Sequence, residues 1–256
     1  MPVIYAILFL ASLWAGTQNA LAGGGSFVTL PALMLMGMDA RAANITSTVA
    51  LFPGQLATGW TGRAHVAGAE GLSFKALVAL SLVGGALGAM LLLVTPSSFF
   101  EHLVPYLVLF ATLVFVWGSF GPHRDGSARL GRVGAGCAQL LIAIYGGYFG
   151  GGIGFLMLAA LTAAGLHLRA AGATKNVLAG VMNASAVAIF VFSADVHWVE
   201  AAITGAGAIV GGIGGGLLMR RINERVLRVA IILIGAALTV CLFLRAQGWL
   251  FSAARA

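Results

Sequence analysis

The sequence predicts an all-α polytopic membrane protein made of two inverted-topology repeats, each a glycine-broken helical hairpin plus three transmembrane helices. Three observations carry that prediction. The 256-residue chain is 60% hydrophobic and 8% charged, against about 25% charged in an average soluble domain, and its mean hydropathy is +1.01. Residues 23–49 align without a gap on residues 151–177, with 12 of 27 positions identical. The Lys and Arg residues cluster in short loops between apolar runs, as on the cytoplasmic side of a membrane protein.

Ten apolar segments follow, five per half: 3–21, 24–37, 42–62, 72–95 and 98–119, then 132–148, 151–165, 169–193, 197–219 and 224–246. Most approach or exceed the roughly 20 residues that cross a bilayer as helix. A membrane β-barrel is excluded, since it would show ten-residue alternating segments. Ala20-Leu21-Ala22 resembles a leader-cleavage site, but residues 2–19 carry no Lys or Arg and the apolar run continues past it, so the first segment reads as a retained span. Segments 24–37 and 151–165 are short, about 20 Å of helix each, and each follows a glycine cluster. Segments 72–95 and 197–219 share Val83-Gly84-Gly85 and Gly88 with Val210-Gly211-Gly212 and Gly215, a pattern of close helix packing through small residues. The polar stretch 120–131 reads as a cytoplasmic linker between a first repeat, 1–119, and a second, 132–256.

The charges arbitrate between topologies. If each hairpin enters and leaves on one side, the halves are inverted. Eleven basic residues (Arg63, Lys75, Arg124, Arg129, Arg132, Arg169, Lys175, Arg220, Arg221, Arg225, Arg228) then face the cytoplasm and three (Arg41, Arg245, Arg255) face outward. If each pair crosses once, the halves are parallel and the count is seven against seven. The positive-inside rule selects inversion.

Two glycine breaks, Gly23-Gly24-Gly25-Ser26 and Gly150-Gly151-Gly152 with Gly154, are costly in a lipid-embedded helix and expose amides that hydrocarbon cannot satisfy. Such breaks either line a cavity or let helices pack closely through small residues, and the helix N-termini they create attract anions. The segment after each hairpin supplies polar groups: Asn44, Thr46, Ser47 and Gln55 in the first half, Thr174, Lys175, Asn176 and Asn183 in the second. In the alignment Ser47 matches Lys175 and Gln55 matches Asn183. Lys175 is either the cation of an anion site or a lysine reaching for the cytoplasmic interface. Thr46 and Thr174 either contact substrate or bond back to their own helix carbonyls.

Asp and Glu stay near segment ends, so no buried carboxylate is apparent for ion coupling or proton relay. No metal cluster, nucleophile–base pair or ATP-binding motif is visible, which argues against an enzyme and calls for no cofactor. The net charge of +7 sits in membrane-flanking loops, not a nucleic-acid-binding face. Cys137 and Cys241 lie in apolar segments and read as small packing residues. The expected partners are a small anionic substrate and the lipid bilayer, with a homo-oligomer compatible.

Gly23 to Ser26 leading to Pro31-Ala32-Leu33, Arg41-Ala42-Ala43-Asn44-Ile45-Thr46-Ser47, Gly150 to Gly154, Ala173-Thr174-Lys175-Asn176, and Asp195-Val196-His197-Trp198 before a glycine-rich helix together resemble the TauE/SafE sulfite-exporter family. The resemblance spans about 3 to 245 and implies a bacterial inner-membrane permease for small anions such as sulfite, thiosulfate or organosulfonates. It departs at Ala159, which stands where a second copy of Pro31 would fall. The expected mechanism is alternating access around a midplane site, with an anion channel of the same architecture as the alternative. An inside-negative potential expels anions at about 2.3 kcal/mol per charge per 100 mV, so export needs no coupling ion.

Overall fold

The computed structural model describes residues 2–21, 24–69, 71–120, 131–218 and 224–246. Ten α-helices fall among the described residues: α1 (Pro2–Leu21), α2 (Ser26–Leu35), α3 (Ala40–Gly62), α4 (Phe74–Val94), α5 (Ser97–Phe120), α6 (Gly131–Tyr148), α7 (Ile153–Ala163), α8 (Leu168–Phe190), α9 (Trp198–Leu218) and α10 (Glu224–Ala246). They match the ten expected segments to within three residues at every end. Phe74–Val94, Ser97–Trp117 and Arg169–Phe190 are long and apolar enough to cross a membrane, and further apolar stretches run through α1, α2, α7, α9 and α10. Of the linker expected over 120–131, residues 121–130 lie outside the described residues, as does Gly23 of the first break.

Local chemistry sets the helix starts. Asp39 Oδ1 accepts from the amides of Arg41 (2.9 Å) and Ala42 (3.1 Å), so α3 begins two residues ahead of the apolar run. Its carboxylate satisfies two of the four orphan amides of a helix N-terminus. Ser73 caps α4 in the same way, through Ala76 N at 3.2 Å. The two breaks share a backbone shape. Gly24 and Gly152, equivalent in the repeat, both sit at positive φ, +80° and +73°, where any L side chain is strained. The proline difference leaves no mark on helix length: α2 with Pro31 has 10 residues and α7 with Ala159 has 11.

The packing of one half recurs in the other. α1 lies along α9 as α6 lies along α4, and α3 meets α9 as α8 meets α4. A methyl group built on Gly211 would strike the Leu13 carbonyl, and one built on Gly84 would crowd the carbonyl of Leu140, the equivalent residue 127 positions on. These glycines, with Gly85 and Gly88, bring helix backbones into direct contact, as the small-residue pattern predicts. Phe9 beside Gly207 and Leu13 beside Gly211 make α1 and α9 parallel. Two further contacts, α3 with α8 and α5 with α10, run the opposite way. In α3 and α8, Gln55 meets Gly180 and Asn183 while Gly59 meets Asn176 and Val177, so these helices are antiparallel. Tyr106 against Phe243 and Thr112 against Gly235 make α5 and α10 antiparallel too.

Two apolar clusters hold the short helices α2 and α7. Phe27, Leu30 and Leu33 of α2 pack in one with α3, α5 and α10. Ile153, Met157 and Leu161 of α7 pack in the other with α4, α6 and α8. Cys137 and Cys241 are corrected by the structure: both are free and exposed, not core packing residues. Lipid is as apolar as a protein core, so an apolar sequence neighbourhood does not distinguish the two faces of a spanning helix.

Candidate functional site

The first break is closed by side chains of α1. Gln18 Nε2 donates to the Gly24 carbonyl at 2.8 Å, and Gly25 N donates to Asn19 Oδ1 at 3.5 Å. Gly25 is the N-cap of α2, and no side chain caps that helix. Ser26 is its half-buried first residue. One turn on, Thr29 Oγ1 donates to the Gly25 carbonyl at 3.3 Å and shares a 2.6 Å hydrogen bond with the buried Ser47 hydroxyl of α3. Ser47 is thus tied to the first turn of α2, in its own half of the chain.

The second break is met from the opposite half. Asn44 of α3 is buried and donates through Nδ2 to the Tyr148 carbonyl, the last residue of α6, at 3.1 Å. The chain then turns through Gly150 at φ +78° and Gly151 to Gly152, the N-cap of α7. Gly152 brings no capping side chain, so the amides of Ile153 and Gly154 keep free N–H groups, while Phe155 N donates to the Gly152 carbonyl at 3.1 Å.

Lys175 occupies the position equivalent to Ser47, and it faces α7 as Ser47 faces α2. A methyl group built on Gly154, the second residue of α7, would lie 3.6 Å from Lys175 Nζ. Lys175 is half-buried and has no ion-pair partner among the described residues. The ammonium therefore stands against the positive end of a helix, an arrangement that two like partial charges disfavour. Asn176, beside it, is half-buried, and its carbonyl lies against Gly59 of α3.

The remaining sequence-derived residues fall at other depths. Asn183 is buried and donates through Nδ2 to Gln55 Oε1 of α3, leaving its own Oδ1 without a hydrogen bond. It stands eight residues, about 12 Å of helix, from Lys175. Thr46 and Thr174 form no bond to their own helix. Thr46 Oγ1 donates to the Asp195 carbonyl (3.3 Å) and accepts from His197 N (3.2 Å), while Thr174 Oγ1 accepts from Ala67 N (3.0 Å). Both hydroxyls are spent on loop backbone of the opposite half. The structure thus brings Gly152, Gly154 and Lys175 together, pairs Gln55 with Asn183, and sets Thr46 and Thr174 at opposite ends of the α3–α8 pair.

Gln18, Asn19 and Thr29 belong to these arrangements and were not among the sequence-derived residues. Their signal was polarity inside an apolar run. The family model described as sulfite exporter TauE/SafE matches residues 8–242, which takes in both breaks and both polar helices. The chain belongs to this family.

TauE/SafE membership agrees with three curated relatives. The chain is 26% identical over 254 residues to "Probable membrane transporter protein YfcA" of Escherichia coli (strain K12), covering 96% of this chain and 92% of that protein. It is 26% identical over 249 residues to a "Probable membrane transporter protein" of Haemophilus influenzae, covering 96% of each. It is 28% identical over 244 residues to "Probable membrane transporter protein ORF9" of Sinorhizobium sp, covering 93% and 91%. Family and helical spans together make this TauE/SafE chain a membrane protein.

Proposed function

We propose that this chain is a multi-pass secondary transporter of the bacterial inner membrane that exports a small anion (sulfite, thiosulfate or an organosulfonate) by alternating access. The observation that carries the proposal is Lys175 against the first turn of α7 with no ion-pair partner among the described residues. A cation and a helix N-terminus repel each other unless an anion lies between them. The free amides at Gly152 to Gly154 would bind the anion's oxygens while Lys175 supplies the charge. Lysine is a compact point charge and suits a pyramidal or tetrahedral oxyanion without demanding planar geometry. The family description and the relatives' names agree with transport.

The two halves, 1–119 and 132–256, are read as inverted repeats joined by a cytoplasmic linker. Gln55 and Asn183 are 128 residues apart, equivalent in the repeat, and they touch on antiparallel helices. A two-fold axis that exchanges touching antiparallel helices lies perpendicular to both, hence in the membrane plane when they span it. With Lys175 assigned to the site, the charge count is still ten against three and supports the same orientation. Asn44, Thr46, Thr174 and the Gln55–Asn183 pair then serve mainly to hold the halves together around the site.

The test is anion flux in proteoliposomes across sulfite, thiosulfate, sulfonates and carboxylates, with Lys175→Ala alongside. Saturable export of one of the sulfur oxyanions, lost in Lys175→Ala, is the expected result. Flux that rises linearly with concentration would indicate a channel, and unchanged flux in Lys175→Ala would remove the site.

A further inference from the structure

Thr46 and Thr174 are equivalent residues that do the same work at opposite ends of the α3–α8 pair. Thr46 holds the loop that leaves α8 through Asp195 O and His197 N. Thr174 holds the loop that leaves α3 through Ala67 N at 3.0 Å and Ala67 O at 3.4 Å. Ala67 and Asp195 are themselves 128 residues apart. Each clasp donates to the carbonyl of the equivalent residue, but the amide it accepts from is Ala67 in one and His197 in the other, and the two ends differ in charge.

At the Asp195 end, Arg41 Nη2 meets Asp195 Oδ2 at 3.0 Å. Arg41 Nη1 also donates to the Thr95 carbonyl at 2.8 Å, and Ser193 Oγ holds the same carboxylate oxygen at 3.3 Å. One guanidinium therefore ties α3, the α4–α5 turn and the α8–α9 loop. Asp39 does not compete for it, because its carboxylate caps α3. At the other end the counterpart of Arg41 is Arg169, but the counterpart of Asp195 is alanine. Arg169 is exposed and has no ion-pair partner among the described residues. Among the described residues, one end carries an ion pair beside its threonine clasp and the other carries the clasp with no ion pair.

The geometry points to the Arg41–Asp195 ion pair as the latch that keeps one face of the transporter closed at rest, so that the Thr174–Ala67 face is the one that opens first. This rests on the alternating-access reading above. Such a protein must part the loop of one half from the helix of the other at one end at a time. The end with more bonds to break parts less often. Arg41 and Asp195 are 20% and 24% exposed, so their attraction is screened less than that of a fully solvated surface pair.

The test is labelling by a membrane-impermeant maleimide of single cysteines in a Cys137→Ala, Cys241→Ala background. Ala50→Cys reports on the latched end, being buried one turn deeper than Thr46, and Leu178→Cys, buried at the equivalent position, reports on the other. Arg41→Gln and Asp195→Asn are each expected to raise labelling of Ala50→Cys about fivefold and to slow labelling of Leu178→Cys. The exchanged pair Arg41→Asp with Asp195→Arg should restore both rates toward those of the parent. Reciprocal change is the discriminating signal, because general loosening of the fold raises both rates. Unchanged labelling in the single variants, a rise at both ends, or an exchanged pair that labels like the singles would overturn the proposal. Labelling needs no substrate, so failure here leaves the Lys175 site standing, and loss of that site leaves these rates unaffected.

Discussion

Asn183 donates a hydrogen bond to Gln55, the residue that occupies its own position in the other half of the chain. In the inverted arrangement proposed above, a contact between equivalent residues lies on the axis that relates the copies. Interhelical amide bonds in membranes contribute about 0.6 kcal/mol on average and up to about 1.7. Asn183→Leu should therefore lower thermal stability in detergent by about 1 kcal/mol. The double variant Gln55→Asn with Asn183→Gln keeps the pair in reversed order and should fall within a few tenths of the parent. Equal loss in both proteins would show that the contact is not interchangeable.

Gly84 and Gly211 should not tolerate a side chain. A methyl group at either meets the backbone of the neighbouring helix, α6 or α1, which cannot rotate away as a side chain can. Gly84→Val and Gly211→Val are each expected to cost about 1–3 kcal/mol or to prevent folding. Gly214→Ala, on the same helix as Gly211 but with open space around it, should be neutral or slightly stabilising. Folded yield and melting temperature in detergent separate the two classes.

Thr46→Val and Thr174→Val each remove a hydroxyl that satisfies loop backbone in the opposite half, leaving the valine methyl in its place. The expected cost is about 1–3 kcal/mol for each orphaned backbone group that cannot find water. Thr→Ser at either position keeps the hydroxyl and should recover most of the loss. Thermal unfolding of the four variants decides this, and equal melting of the Val and Ser proteins would contradict it.

Gly154→Ala places a methyl group within ordinary contact distance of Lys175 Nζ, so the fold should accept it. The same methyl stands where the anion is proposed to sit. Melting temperature should hold while the concentration for half-maximal anion flux rises several-fold. Unchanged flux parameters would move the site away from α7.

The ten segments could be read from sequence because lipid imposes long apolar runs and because glycines such as Gly24 and Gly152 interrupt them at equal places in both copies. The facing of Gly84 and Gly211 was readable for the same reason, since small residues repeated on a helix have few other uses in a membrane. The Arg41–Asp195 pair was not readable. Its members are far apart in the chain, and only the antiparallel register of α3 and α8 brings them together. Thr46 and Thr174 looked like residues that bond their own helix or a substrate, yet both reach across to a loop whose path no local pattern encodes. Lys175 stood out by residue type alone, while its approach to Gly154 followed from the short turn between α7 and α8.

The most direct measurement is sulfite and thiosulfate flux in proteoliposomes containing the parent protein, Lys175→Ala and Lys175→Arg, each verified as folded by its melting temperature. Flux in the parent should saturate, fall at least tenfold in Lys175→Ala and return in part with Lys175→Arg, whose charge is kept but whose fork is bulkier. Saturable flux of the same size in Lys175→Ala would show that the anion passes elsewhere and that the lysine only reaches for the membrane interface.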